Sequence, residues 1–199
     1  MRAWLTRFLL IAFALSAPAA ANAGPASELI EKMAAQAIET LQSTDGGLAE
    51  REKRFRRILT SHFDMETIAK SAIGRHWNRA SADQRQRYIG AFSDYVVATY
   101  ARRFGGYAGE TFAVVGERSA GGDDMLVDSE IRRGEGPPIV AQWRVQVGDG
   151  APKVVDVIVE NVSMTVTQRS EFSAVVRSNG IDGLIQVLQA RAGRVGAQQ

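Results

Sequence analysis

In the stretch VVDVIVENVSM, residues 154–164, one carboxylate, Asp156, interrupts a run made of Val154, Val155, Val157, Ile158 and Val159. A carboxylate held among apolar side chains can abstract a proton from a carbon acid, because desolvation raises its basicity. It can equally accept structural hydrogen bonds, or mark the wet side of a half-buried strand. Asp128 is a second strand carboxylate with the same potential. Such a base needs a hydrogen-bond donor in the same pocket, a part that Tyr95 or Tyr100 could take. That combination would make a small isomerase-like enzyme.

Other chemistry is sparse. His62 and His76 are the two histidines, 14 residues apart, with no third ligand at metal spacing. His62 with Asp64 and Glu66 makes a weak metal pattern, and a histidine at a helix end is the simpler reading. With no cysteine, a thiol nucleophile and a disulfide framework are excluded. No G-x-S-x-G elbow, phosphate-binding loop or dinucleotide fingerprint occurs. No cofactor and no metal are expected.

The elements that would position these residues form a helical half, a strand half and a helical tail. Leu29, Ile30, Met33, Ala37, Ile38 and Leu41 recur at helical spacing over 25–43, and Ser43 to Gly47 ends that helix. A second helix over 49–60 gathers Phe55, Ile58 and Leu59. Asp64 caps a short helix that runs to Ile73 and stops at Gly74. Ser81 and Gln84 stand at capping-box spacing ahead of a helix over 81–104. Its stripe of Tyr88, Phe92, Tyr95, Val96, Thr99, Tyr100 and Phe104 is unusually aromatic, and Gly105-Gly106 breaks it. Four strands are expected at 111–117, 124–132, 139–147 and 153–164, joined by glycine-rich turns into an antiparallel meander. Period two puts Val155, Val157 and Val159 on one face and Asp156 and Glu160 on the other. The tail returns to helix, with a break at Gly180 and a frayed end from Val195 to Gln199. The class is α+β: a curved four-stranded antiparallel sheet wrapped by N-terminal and C-terminal helices.

The first 23 residues read as an export signal and not as fold. Arg2 and Arg7 precede the apolar run Phe8 to Leu15, and Ala21-Asn22-Ala23 fits a cleavage site. Residues 24–199 are then one domain in the periplasm, with 22 basic and 22 acidic side chains. Residues 24–104 carry net +3 and 105–199 net −3, a bipolar field that can orient a docking partner. The run Arg51, Lys53, Arg54, Arg56 and Arg57 reads as a solvated helix face, so no nucleic-acid binding is expected. A curved sheet and a long aromatic helix can also enclose an apolar cavity. Two acyl tails at about 0.8 kcal/mol per buried CH₂ would supply roughly 20 kcal/mol gross, so tails would drive such binding and a head group could stay in water. A protein-only adaptor with a filled core is the third possibility.

The stretch FDMETIAKSAIGRHWNRASADQRQRYIGAFSDYVVATYARRF, residues 63–104, resembles the MlaC/toluene-tolerance family of periplasmic phospholipid-binding proteins. QWRV, VVDVIVENVSM, RSEF and GIDGLIQVLQ continue the resemblance in order, over roughly residues 27–190. Phe63-Asp64, Gly74-Arg75, Trp77, Asp156-Val157, Val162-Ser163 and Gly183-Leu184 carry it together. The family pattern has glycine where this chain has Asn161, a residue that also tolerates left-handed backbone. The resemblance implies a cone-like fold of nuclear-transport-factor type. It also implies a monomeric carrier that performs no chemistry. Such a carrier moves glycerophospholipid between an outer-membrane lipoprotein complex and an inner-membrane ABC transporter with an MCE-domain subunit, in support of outer-membrane lipid asymmetry. A related branch is associated with hopanoids, so a sterol-like ligand stays open. The expected cavity lining is Phe92, Tyr95, Val96 and Tyr100 from the long helix with Trp143, Val145, Val157 and Val159 from the sheet. Arg102 and Arg103 are the expected docking or head-group contacts.

Overall fold

Pro25 opens the first helix, where its missing N–H would be unpaired in any case. The computed structural model describes residues 24–42, 47–101 and 109–197. The expected export signal, the breaks at 43–46 and 105–106, Phe104 and the pair Arg102-Arg103 lie outside the described residues. The elements are α1 (Pro25–Gln42), α2 (Gly47–His62), α3 (Met65–Ile73), a 3₁₀ segment (Gly74–Arg79), α4 (Ala82–Ala101), β1 (Thr111–Gly121), β2 (Asp124–Arg132), β3 (Ile139–Gln146), β4 (Lys153–Val159), β5 (Val162–Ser163) and α5 (Met164–Ala197).

Helix ends follow their local chemistry. Thr67 N–H donates to Asp64 Oδ1 at 2.9 Å, which starts α3. Gly74, at φ 58°, ends it with its N–H on Lys70 O. Ser81 and Gln84 exchange the two bonds of a capping box at 3.1 Å each, which starts α4.

The sheet is an antiparallel meander in the order β1-β2-β3-β4-β5. It has five strands where four were expected, because 153–164 folds back on itself. Glu160 and Asn161 both take positive φ, 48° and 64°, the requirement of a tight two-residue hairpin turn. Val159 then pairs with Val162. The departure from the family's glycine is therefore absorbed by an asparagine that accepts the same backbone.

The valine pattern of β4 also differs from a strict period of two. Arg144 pairs with Asp156 but Val145 pairs with Val154, so Val155 is the extra residue of a β-bulge. The bulge moves Val154, not Val155, onto the inner face with Val157 and Val159. Val154 and Val145 are both fully buried there.

Two apolar regions result. Ala26, Ile30 and Met33 of α1 pack with Ile58 on Val127, Val145 and Val154 of the sheet. Beyond them α3, α4 and α5 enclose a helical core around Ile73, Tyr88, Phe92, Phe172, Leu184 and Leu188. Phe55 and Leu59 of α2 join Val97 and Ala101 of α4 between the two regions. The α2–α3 junction is stitched to β4, with Asp64 N–H on Val154 O at 3.0 Å and Lys153 Nζ on Ser61 O at 2.6 Å.

Candidate functional site

Where α1 and α2 cross the sheet, their side chains are too small to fill the space beneath them. Ala34 and Ala37 lie between Met33, Ile38 and Leu41 on α1, and α2 presents only Phe55 and Ile58 to this side. An apolar cavity of about 390 Å³ remains, inside the range of about 300–1,000 Å³ usual for ligand pockets. Phe112, Ile131 and Trp143 form its sheet wall, and Phe63 lines it as well. Glu110 and Arg133 are the ionisable side chains on its lining.

The wall is held in place by satisfied polar groups. Trp143 Nε1–H donates to Ser129 Oγ at 2.9 Å, and that hydroxyl donates to Ala141 O at 3.0 Å. The fully buried Ser129 thus fixes the indole ring, which meets Phe112 at 6.4 Å and 64°. On the other side, Ser27 N–H at the start of α1 donates to Glu117 Oε2 at 2.9 Å. At the far end His62 Nε2 meets Gln36 Oε1 at 2.7 Å and ties α2 to α1. Burial first, then Lys153 and Lys32, hold the His62 pKa below its usual value. The neutral ring is therefore favoured at this junction, where it joins the two helices.

The expected site residues divide. Trp143 lines the cavity. Val145 and Val157 sit in the apolar cluster on the same sheet face, behind it. Val159 is half-buried at the end of β4. The α4 residues are elsewhere. Phe92 belongs to the helical core, with Tyr95 and Val96 packed against it, and Tyr100 packs beside Phe55 and Leu59. The reason is α5. Phe172 makes edge-to-face contacts with Tyr88, Phe92 and Tyr95 at centroid distances of 6.5, 6.1 and 6.4 Å, so the aromatic stripe is covered. The α1 and α2 residues that replace it were visible in the sequence as amphipathic faces; nothing in their types separated cavity wall from core.

The strand carboxylates have structural partners. Asp156 Oδ1 accepts from Val157 N–H, Thr165 N–H and Thr165 Oγ1–H at 2.9, 3.1 and 2.7 Å, and Oδ2 accepts from Ser163 Oγ–H at 2.6 Å. It anchors the first turn of α5 to β4, away from the cavity lining. Asp128 is bonded by Arg118 and by Gln142 Nε2–H. The basic run on α2 is braced locally. Arg56 reaches Asp94 of α4 at 2.9 Å, and Arg54 and Arg57 face Glu50. Among the described residues no group of three or more His, Asp or Glu side chains could hold a metal ion. No described helix is long and apolar enough to cross a membrane.

Known proteins give this arrangement a context. The family model described as MlaC protein matches residues 31–190. The intermembrane phospholipid transport system binding protein MlaC of Haemophilus influenzae is 23% identical over 202 residues, covering 96% of this chain and 94% of that protein. A solved structure of a phospholipid-binding protein from Ralstonia solanacearum, in complex with a phospholipid, is similar with a TM-score of 0.78. It is 22% identical, over 86% of this chain and 98% of that one, so the likeness is one of fold. Since the family model spans most of the sequence, from within α1 to the second half of α5, the chain belongs to the MlaC family.

Proposed function

We propose that this protein is a periplasmic carrier of glycerophospholipid, with the acyl tails held in the cavity between α1, α2 and the sheet. The observation that carries the reading is that cavity: about 390 Å³, walled by Met33, Ala37, Ile38, Phe55, Phe112 and Trp143. Ten methylenes taken from water into such a site gain about 8 kcal/mol, enough to hold a lipid without charge contacts. The Haemophilus protein, a binding protein of an intermembrane phospholipid transport system, and the phospholipid-binding Ralstonia protein support the same ligand class. Export by a cleaved segment at residues 1–23 would deliver residues 24–199 as one lipid-binding domain. The carrier works as a monomer between an outer-membrane lipoprotein complex and an inner-membrane ABC transporter with an MCE-domain subunit. Arg102 and Arg103, which follow α4 in the sequence, belong to the docking surface in this reading. The reading needs no catalytic step, cofactor or metal, and Asp156 serves as a helix anchor.

The test is extraction of protein purified from the periplasm, with bound lipids identified by mass spectrometry. Phospholipid near one molecule per chain is expected. A hopanoid in its place would change the ligand class. Folded protein that carries no lipid, and takes none from vesicles, would sink the carrier.

A further inference from the structure

The cations of α2 are not equivalent. Lys53, Arg54 and Arg57 face Glu50, and Arg56 reaches Asp94 of α4. Among the described residues no carboxylate braces Arg51, and its Nε–H is buried without a hydrogen-bond acceptor. A desolvated donor on a charged group is costly when left unpaired, so this position calls for an anion.

The helix aims that donor along the cavity. Phe55 and Ile58 are on the cavity lining, and Arg51 precedes them by four and seven residues, on the same face of α2. Helical side chains lean toward the helix start, so Arg51 extends past Phe55 to the rim. The two helices run in opposite directions: Gln36 meets His62 at 2.7 Å, whereas Glu39 and Thr40 share a recess with Glu50 and Arg54. The start of α2 therefore lies by the end of α1, where Leu41 lines the cavity. The sheet agrees with this direction. Glu117 bonds Ser27 at the start of α1. Glu110 is seven residues back along the strand, about 23 Å at strand rise. Leu41 is 14 residues on from Ser27, about 21 Å at helical rise. Arg51 thus stands at the polar end of the cavity, opposite the junction of His62 and Gln36. Arg133 at this end is already beside Glu110, at 4.0 Å.

We infer that Arg51 holds the phosphate of the bound lipid at the cavity mouth. The phosphodiester is common to glycerophospholipids, and the guanidinium offers it two parallel N–H bonds, from Nε and one terminal nitrogen. The tails then run from that point past Phe55 and Ile58 toward Phe63. This inference rests on the carrier reading above and names the side chain that fixes the polar end of the ligand. It selects a lipid with a phosphate on its glycerol over one with the same tails and none.

The delipidated full chain is incubated with vesicles of phosphatidylethanolamine and phosphatidylglycerol doped with diacylglycerol of the same tails, and bound lipids are weighed by mass spectrometry. Relative to supply, wild-type protein should take either phospholipid over diacylglycerol by about tenfold, the order expected of one charge-assisted hydrogen bond. Arg51→Gln should bring that preference to near one by loss of phospholipid, with diacylglycerol uptake held. Arg51→Lys keeps a point charge without the fork and should fall between. Arg57→Gln should leave the preference in place. Urea unfolding of the lipid-free variants checks the fold, and if Arg51→Gln does not fold, Arg51→Lys carries the test. A preference that survives in the folded variant overturns the inference. So does equal loss of phospholipid and diacylglycerol, which would make Arg51 a packing residue. Inorganic phosphate is titrated into the lipid-free chain as well. Phosphate binding lost in Arg51→Gln with lipid uptake unchanged would make this a free-anion site and likewise overturn it. Wild-type protein that takes up neither lipid class removes the carrier reading instead.

Discussion

Asp156 is the residue at which the sequence leaves several chemistries open and the structure supplies four hydrogen-bond donors. Period two takes it off the inner face, and it is indeed off that face; yet the same argument puts Val155 inside, where the bulge puts Val154. A bulge adds one residue without any change of residue type in a valine run, so the alternation cannot reveal it. The partners of Asp156 were equally hidden, since Ser163 and Thr165 meet it only after the chain reverses at Glu160-Asn161. Four donors converge on one half-buried carboxylate, and hydrogen bonds to a charged group are worth about 1.5–3 kcal/mol net. Asp156→Ala should therefore destabilise the fold by about 2–3 kcal/mol in urea unfolding, with Asp156→Asn milder because its amide oxygen still accepts. Lipid loading of the folded fraction should stay at the wild-type level. Loading lost without any loss of stability would place Asp156 in the binding site.

At the scale of elements, the helices were legible because their signals are local. The Asp64 cap, the Ser81 capping box and the stop at Gly74 depend on residues within one turn. What a helix faces is not local. The stripe of Phe92, Tyr95 and Val96 reads equally well as cavity wall or as core, and only the return of α5 across α4 decides it. That return depends on Gly180, which takes φ 69° and ψ −176° inside α5, a conformation that is essentially reserved for glycine. The bend sends Ile181, Leu184 and Leu188 back onto the helical core, where each is buried. Gly180→Ala should cost about 1–3 kcal/mol from backbone strain. Thermal unfolding followed by circular dichroism would measure it as a lower Tm. An unchanged Tm would mean that the bend is set by packing alone and tolerates a side chain.

For the whole molecule, the α+β class and the meander order followed from hydrophobic period and turn chemistry, whereas the cavity followed from neither. It exists because of a mismatch in volume. The α4–α5 side is filled by aromatic rings in contact, while the α1–α2 side spans the sheet with alanines and two apolar residues of a highly charged helix. Volume deficits of this kind are properties of assembled elements, so the lining of α1 and α2 could not be told from core in the sequence. The same mismatch provides a test that separates a functional cavity from loose packing. Ala37 is half-buried on the cavity wall, so Ala37→Trp places an indole in space that a lipid tail would use. A tail that loses two or three buried methylenes to that ring loses about 2 kcal/mol, and loading should drop by at least about tenfold. Stability of the lipid-free protein should hold or rise, because the indole enters open volume instead of a packed core, where insertion costs about 1–3 kcal/mol. Paired measurements of vesicle loading and of urea unfolding decide the matter. Reduced loading with retained stability assigns the cavity to the lipid. Unchanged loading puts the tails elsewhere, and a large loss of stability means that the space beneath α1 closes in solution.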